Sequence, residues 1–133
     1  MKRTLVVTIG AIAMLLSTAS SAGPREDQLA QYAAAANSAG FSAARGQTLH
    51  TQNFAGGKPD TPACTSCHGK DVRSAGRTLT GKTIEAVAVS VTATRYTDPA
   101  KVEKWFKRNC NEVLGRACTP QEKGDWLTYM IAQ

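Results

Sequence analysis

Cys64-Thr65-Ser66-Cys67-His68 is the stretch from which the rest of this chain is read. C-x-x-C-H is the attachment pattern for haem c. Two thiols at that spacing reach the two vinyl groups of one porphyrin and form thioethers. The next residue carries its imidazole beneath the ring, where a ring nitrogen ligates iron. A C-x-x-C pair also serves redox exchange and zinc binding. Redox exchange has no use for the adjacent His68. A zinc site would have to recruit Cys110, Cys118 or His50, and none of these forms a second compact ligand pair. The pattern therefore predicts one covalent haem c, anchored by Cys64 and Cys67, with His68 on iron.

The N-terminal residues fit that reading. Lys2 and Arg3 precede an apolar run from Leu5 to Leu16, and Ser17 to Ala22 is small and polar. This is the layout of a secretory signal, and the apolar run is shorter than the ~20 residues needed to span a bilayer. We expect a signal peptide at 1–22 and one monohaem cytochrome c domain at 23–133, located in the periplasm, with no membrane attachment after cleavage. A chain of 133 residues builds only a small core, and a haem in its middle would supply much of the missing apolar volume. The net charge of +6 is spread along the chain, with no basic run interleaved with aromatics, which argues against nucleic acid as a partner. A mild positive field suits an acidic redox partner, and solubility explains it equally well.

Helical patterns dominate and no stretch alternates as a strand, so the fold class is all-α. Pro24, Glu26 and Asp27 open a helix whose Ala-rich run reaches Ser38, with Gly40 ending it. Ser42 caps a second helix through about Gln52, in which Gly46 marks a close helix contact. Gly56 to Pro62 is a loop leading into the cysteine motif. Thr83 to Val91 fits either a short helix or a buried loop. Arg77, Lys82 and Arg95 are in reach of a haem propionate or are solvated charges. Asp98-Pro99 caps a helix running to about Asn109, and Thr119-Pro120-Gln121-Glu122 is a capping box that opens a terminal helix.

What sits opposite His68 decides the chemistry, since electron carriers commonly place Met or a second His there. Met130 is the one Met left after signal removal, and its helix needs it for packing. His50 is the other His, read as a partly buried or surface helix residue. Val102, Trp105, Phe106 and Asn109 share one helical face, which should be buried and should aim Asn109 inward. Asn109 is then either a helix-end residue bonded to nearby backbone or an amide ligand to iron. A neutral carbonyl oxygen is a hard donor, better matched to ferric than to ferrous iron. With Cys64 and Cys67 taken up by haem, Cys110 and Cys118 remain as a candidate disulfide in an oxidising compartment.

Gly-Gly-Lys-Pro-Asp-Thr-Pro-Ala-Cys-Thr-Ser-Cys-His-Gly (56–69) and Val-Glu-Lys-Trp-Phe-Lys-Arg-Asn-Cys-Asn-Glu-Val-Leu-Gly-Arg-Ala-Cys-Thr-Pro (102–120) resemble the sphaeroides haem protein (SHP) family of oxygen-binding c-type cytochromes. The likeness covers most of the mature chain. It implies a class I cytochrome c-like fold around one covalent haem c, with an extra N-terminal helix. It also implies His68 as proximal ligand, Asn109 as distal ligand to ferric iron, and a Cys110–Cys118 bridge. On reduction, such proteins lose the Asn ligand and bind oxygen, nitric oxide or carbon monoxide. Their electron donor resembles a dihaem cytochrome c. The related cytochrome c″ proteins have His where this chain has Asn109, and His50 falls where an apolar residue is expected. The competing reading is a simple electron-transfer cytochrome, six-coordinate in both redox states. A non-haem disulfide or metal module would follow only without haem. No acid–base pair or nucleophile is placed for catalysis, so any oxygen or small-molecule reductase activity would be that of iron itself.

Overall fold

The computed structural model describes residues 22–133, so the expected signal peptide, apart from Ala22, lies outside the described residues. Among those described, no helix is long and apolar enough to cross a membrane. Helix α1 (Pro24–Ala36) starts on proline, with Glu26 and Asp27 at the positive end of its dipole. It stops before Gly40, because Asn37 takes the left-handed φ of 49° and the N–H groups of Asn37 and Ser38 close onto Ala34 and Ala33. Asn tolerates that conformation better than other non-glycine residues. Helix α2 (Ala43–Thr51) is capped by Ser42, whose hydroxyl accepts from the Arg45 N–H. The cysteine motif winds into a single turn, α3 (Thr65–His68).

Two short segments, β1 (Gly76–Arg77) and β2 (Thr83–Ile84), pair antiparallel with Gly76 opposite Ile84. Two residues are too few to show alternation, so this pairing corrects the expectation of no strand without altering the all-α class. The stretch after β2 is a buried loop. The N–H groups of Val87 and Ala88 both reach the Val72 carbonyl, at 3.1 and 3.0 Å, and Val89 N–H reaches the Met130 carbonyl. Arg95 donates to the carbonyls of Glu85 and Ala86, fastening this loop, while Arg77 bonds Gly81 and Lys82 is exposed.

Helix α4 (Pro99–Leu114) is capped by Asp98 and continues more than a turn beyond Asn109, to a left-handed Gly115. Cys110, Val113 and Leu114 extend its buried stripe, which explains the extra length. Helix α5 (Pro120–Ile131) has the expected capping box between Thr119 and Glu122. Met130, fully buried, packs with Val72, Val87, Ala88 and Tyr129 in one core cluster.

Helix α2 crosses α5 at Gly46, where a Cβ would lie 2.1 Å from the Asp125 carbonyl oxygen and 2.7 Å from Tyr129 Cβ. Only glycine permits that approach. Asp125 secures the same crossing: its carboxylate accepts from the Ser42 N–H at 2.7 Å, from Arg45 at 2.8 Å and from Gln121 at 3.1 Å. Burial alone would raise its pKa, but these donors together hold it below the usual carboxylate value. Arg45 is more than half exposed, so the hydrogen bonds matter more than the ion pair. Asp125→Ala should cost about 2 kcal/mol, in line with hydrogen bonds to a charged group. The stabilisation should be complete above about pH 4, the ordinary carboxylate value, and be lost as pH falls through Asp125's own lower value. Denaturant melts of both proteins across this range should show their stability difference closing in acid.

Candidate haem-binding site

The loop before the motif is pressed against the end of α4. A Cβ on Gly57 would lie 2.2 Å from the Glu112 carbonyl oxygen, and Lys58 N–H donates to that same oxygen at 2.7 Å. This contact carries the C-x-x-C-H turn to the part of α4 that holds Asn109. Cys110 and Cys118 are bonded, with their Cα atoms 5.5 Å apart. Closing so short a ring is worth roughly 2–3 kcal/mol by chain entropy. Cys64 packs against the cluster formed by this bridge, Val113 and Leu114. The structure thus joins the attachment cysteines, the disulfide and the segment around Asn109 into one neighbourhood.

Cys64 and Cys67 are free and half-buried. Burial pushes the Cys64 thiol up to about 11, and burial with the nearby Glu112 charge raises Cys67 as well. Reactive C-x-x-C pairs work the other way, with a lowered thiol pKa, so burial here disfavours the thiolate that redox exchange uses. Among the described residues no group of three or more His, Cys, Asp or Glu side chains is arranged to hold a metal ion.

His68 is the strongest test of fit for haem. Burial, with smaller effects from His50 and Arg95, lowers its pKa to about 4, so the imidazole is neutral and able to ligate. Its Nδ1 is buried without a hydrogen-bond partner among the described residues. Two free thiols and a neutral, under-satisfied imidazole on one turn fit haem c.

Asn109 lies within α4 and is half-buried, not a helix-end residue. The expected buried face needs rotating: Val102 is buried and Phe106 partly so, but Trp105 is 41 % exposed. Asn109 therefore sits on the flank of the stripe, between the core and Trp105. Asn111, on the outer face, donates to the Lys107 carbonyl.

His50 was expected to be partly buried or superficial and is instead fully buried. Its Nε2 lies 3.0 Å from the Gly69 carbonyl, and Trp126 donates to its Nδ1 at 3.3 Å. Its ring centre is 6.4 Å from that of His68, but both nitrogens are committed to these bonds, which leaves neither for iron. Gly46, one turn earlier on the same face, was the sequence signal for this burial.

An all-α fold built around a C-x-x-C-H turn defines a c-type cytochrome, a class that carries its haem covalently. Residues 36–130 match the family described as "Domain of unknown function (DUF1924)". The chain is 55% identical over 105 residues to cytochrome c-type protein SHP of Cereibacter sphaeroides, across 79% of this chain and 81% of that protein. A structure of oxidised SHP, an oxygen-binding cytochrome c, superposes with a TM-score of 0.80 at 50% identity, over 85% of this chain and 100% of that one. The solution structure of cytochrome c″ from Methylophilus methylotrophus, which concerns haem-ligand detachment, has a TM-score of 0.69 at 32% identity, over 82% of this chain and 93% of that one. The chain belongs to this family of SHP-like c-type cytochromes.

Proposed function

We propose that this chain is an exported, periplasmic monohaem cytochrome that accepts electrons and, when reduced, binds oxygen or another small diatomic ligand. Cys64 and Cys67 would hold the porphyrin, and His68 would be the lasting ligand to iron. Haem would supply a redox-active iron able to take a small ligand. Asn109 would govern that ligand's entry: its amide oxygen, a hard neutral donor, would suit ferric iron and hold ferrous iron poorly.

The observation that carries the reading is the place of Asn109. Its amide lies on the flank of α4, directly before the disulfide whose cluster packs on Cys64. The oxygen binding of SHP and the haem-ligand detachment of cytochrome c″ support the same reading. The bridge at Cys110 pins the backbone beside Asn109, so the amide can leave and return without moving the helix. Electrons would come from another cytochrome, a dihaem cytochrome c by the family resemblance.

Protein exported in a host with haem-attachment machinery should have an intact mass equal to residues 23–133 plus one haem, retained through acid–organic extraction. A mass without haem would rule out attachment, and retained residues 1–22 would contradict cleavage after Ala22.

A further inference from the structure

His50 has no part in the chemistry above, yet it is one of the most deeply buried side chains in the molecule. It projects from α2 between the rings of Trp126 and Tyr129, whose centres lie 6.3 and 6.0 Å from its own. A buried imidazole is costly unless its nitrogens are satisfied. Here both are. The Trp126 indole nitrogen can only donate, so Nδ1 must be the bare acceptor. The proton therefore sits on Nε2, which donates to the Gly69 carbonyl. One tautomer alone completes the chain.

Gly69 directly follows His68. Its N–H is bonded to the Thr65 carbonyl at 3.0 Å, and its own carbonyl receives His50. Gly69 is thus held at both its N–H, from within the turn, and its carbonyl, from α2. Trp126 extends this support into α5, where its ring also packs edge-to-face on Phe106 of α4. A leucine or phenylalanine at position 50 could fill the space, but it could not accept at one end and donate at the other.

We infer that His50 is a positioning residue for His68. The Trp126–His50–Gly69 chain fixes the turn that carries the axial imidazole, and so the orientation in which His68 meets iron. His68 would then keep its orientation while Asn109 is free to move. This inference rests on His68 being the axial ligand.

Resonance Raman spectroscopy of the reduced holoprotein reads the iron–histidine stretching band directly. His50→Leu and Trp126→Phe each break the chain, and each should shift and broaden that band. His50→Gln, whose amide can accept from Trp126 and donate to Gly69, should bring it back towards its wild-type position. Nitrogen NMR of the diamagnetic carbon monoxide complex should show His50 protonated on Nε2. Trp126→Phe keeps an aromatic ring in the core and decides the matter if His50→Leu fails to retain haem. An unchanged band in Trp126→Phe, or a His50 protonated on Nδ1, would overturn the positioning role while leaving His68 ligation intact. A reduced wild-type protein that is five-coordinate and high-spin by its optical spectrum, yet has no iron–histidine band, would overturn that ligation, and this inference with it.

Discussion

Asn109→His should convert the oxidised protein to a low-spin form with two nitrogen ligands and slow carbon monoxide binding to the reduced form about tenfold or more. Each tenfold corresponds to about 1.4 kcal/mol of extra bond strength that the incoming ligand must overcome. Imidazole nitrogen suits both oxidation states of iron better than a neutral amide oxygen does. The new side chain would start from the same Cα, because α4 runs on to Leu114 and the Cys110–Cys118 bond holds the adjacent residue. Optical spectra of both oxidation states, with stopped-flow carbon monoxide kinetics, check the prediction. Asn109→Ala is the companion: it should change the ferric spectrum by removing the sixth ligand. If neither variant changes spectrum or kinetics, Asn109 does not reach iron.

The second large effect concerns attachment. The double substitution Cys64→Ser and Cys67→Ser should abolish acid-stable haem and leave a poorly folded chain. Loss of haem removes the group that His68 would ligate and takes apolar volume from a core that is already small. Cys64 also packs on the disulfide cluster, so the damage should spread to the end of α4. Intact-mass analysis after acid–organic extraction and far-UV circular dichroism measure the two losses separately. A double variant that keeps a full haem complement through extraction would show that the thiols are not the attachment points.

What was legible in the sequence is what the chain encodes locally. The C-x-x-C-H turn and the caps at Ser42, Asp98 and Thr119 each depend on residues a few positions apart, and each is present in the fold; Gly46 signalled a close helix contact, though not that its partner is α5. The segment after β2 was ambiguous because its order comes from distant carbonyls, those of Val72 and Met130, which no periodicity reveals. The α4 face was misjudged by a small rotation. Ending the helix near Asn109 left out Cys110, Val113 and Leu114, which draw the buried stripe away from Trp105. His50 was underestimated because its burial follows from the α2–α5 crossing, and its donor, Trp126, lies 76 residues away.

The redox gate at Asn109 is tested most directly by the optical spectrum of the reduced wild-type protein, recorded before and during carbon monoxide addition. The gate predicts a high-spin, five-coordinate spectrum with His68 as sole axial ligand. Carbon monoxide should then bind at a rate that rises linearly with its concentration. A low-spin, six-coordinate reduced spectrum, with a binding rate that saturates at the dissociation of an internal ligand, would contradict the gate and establish a simple electron carrier instead.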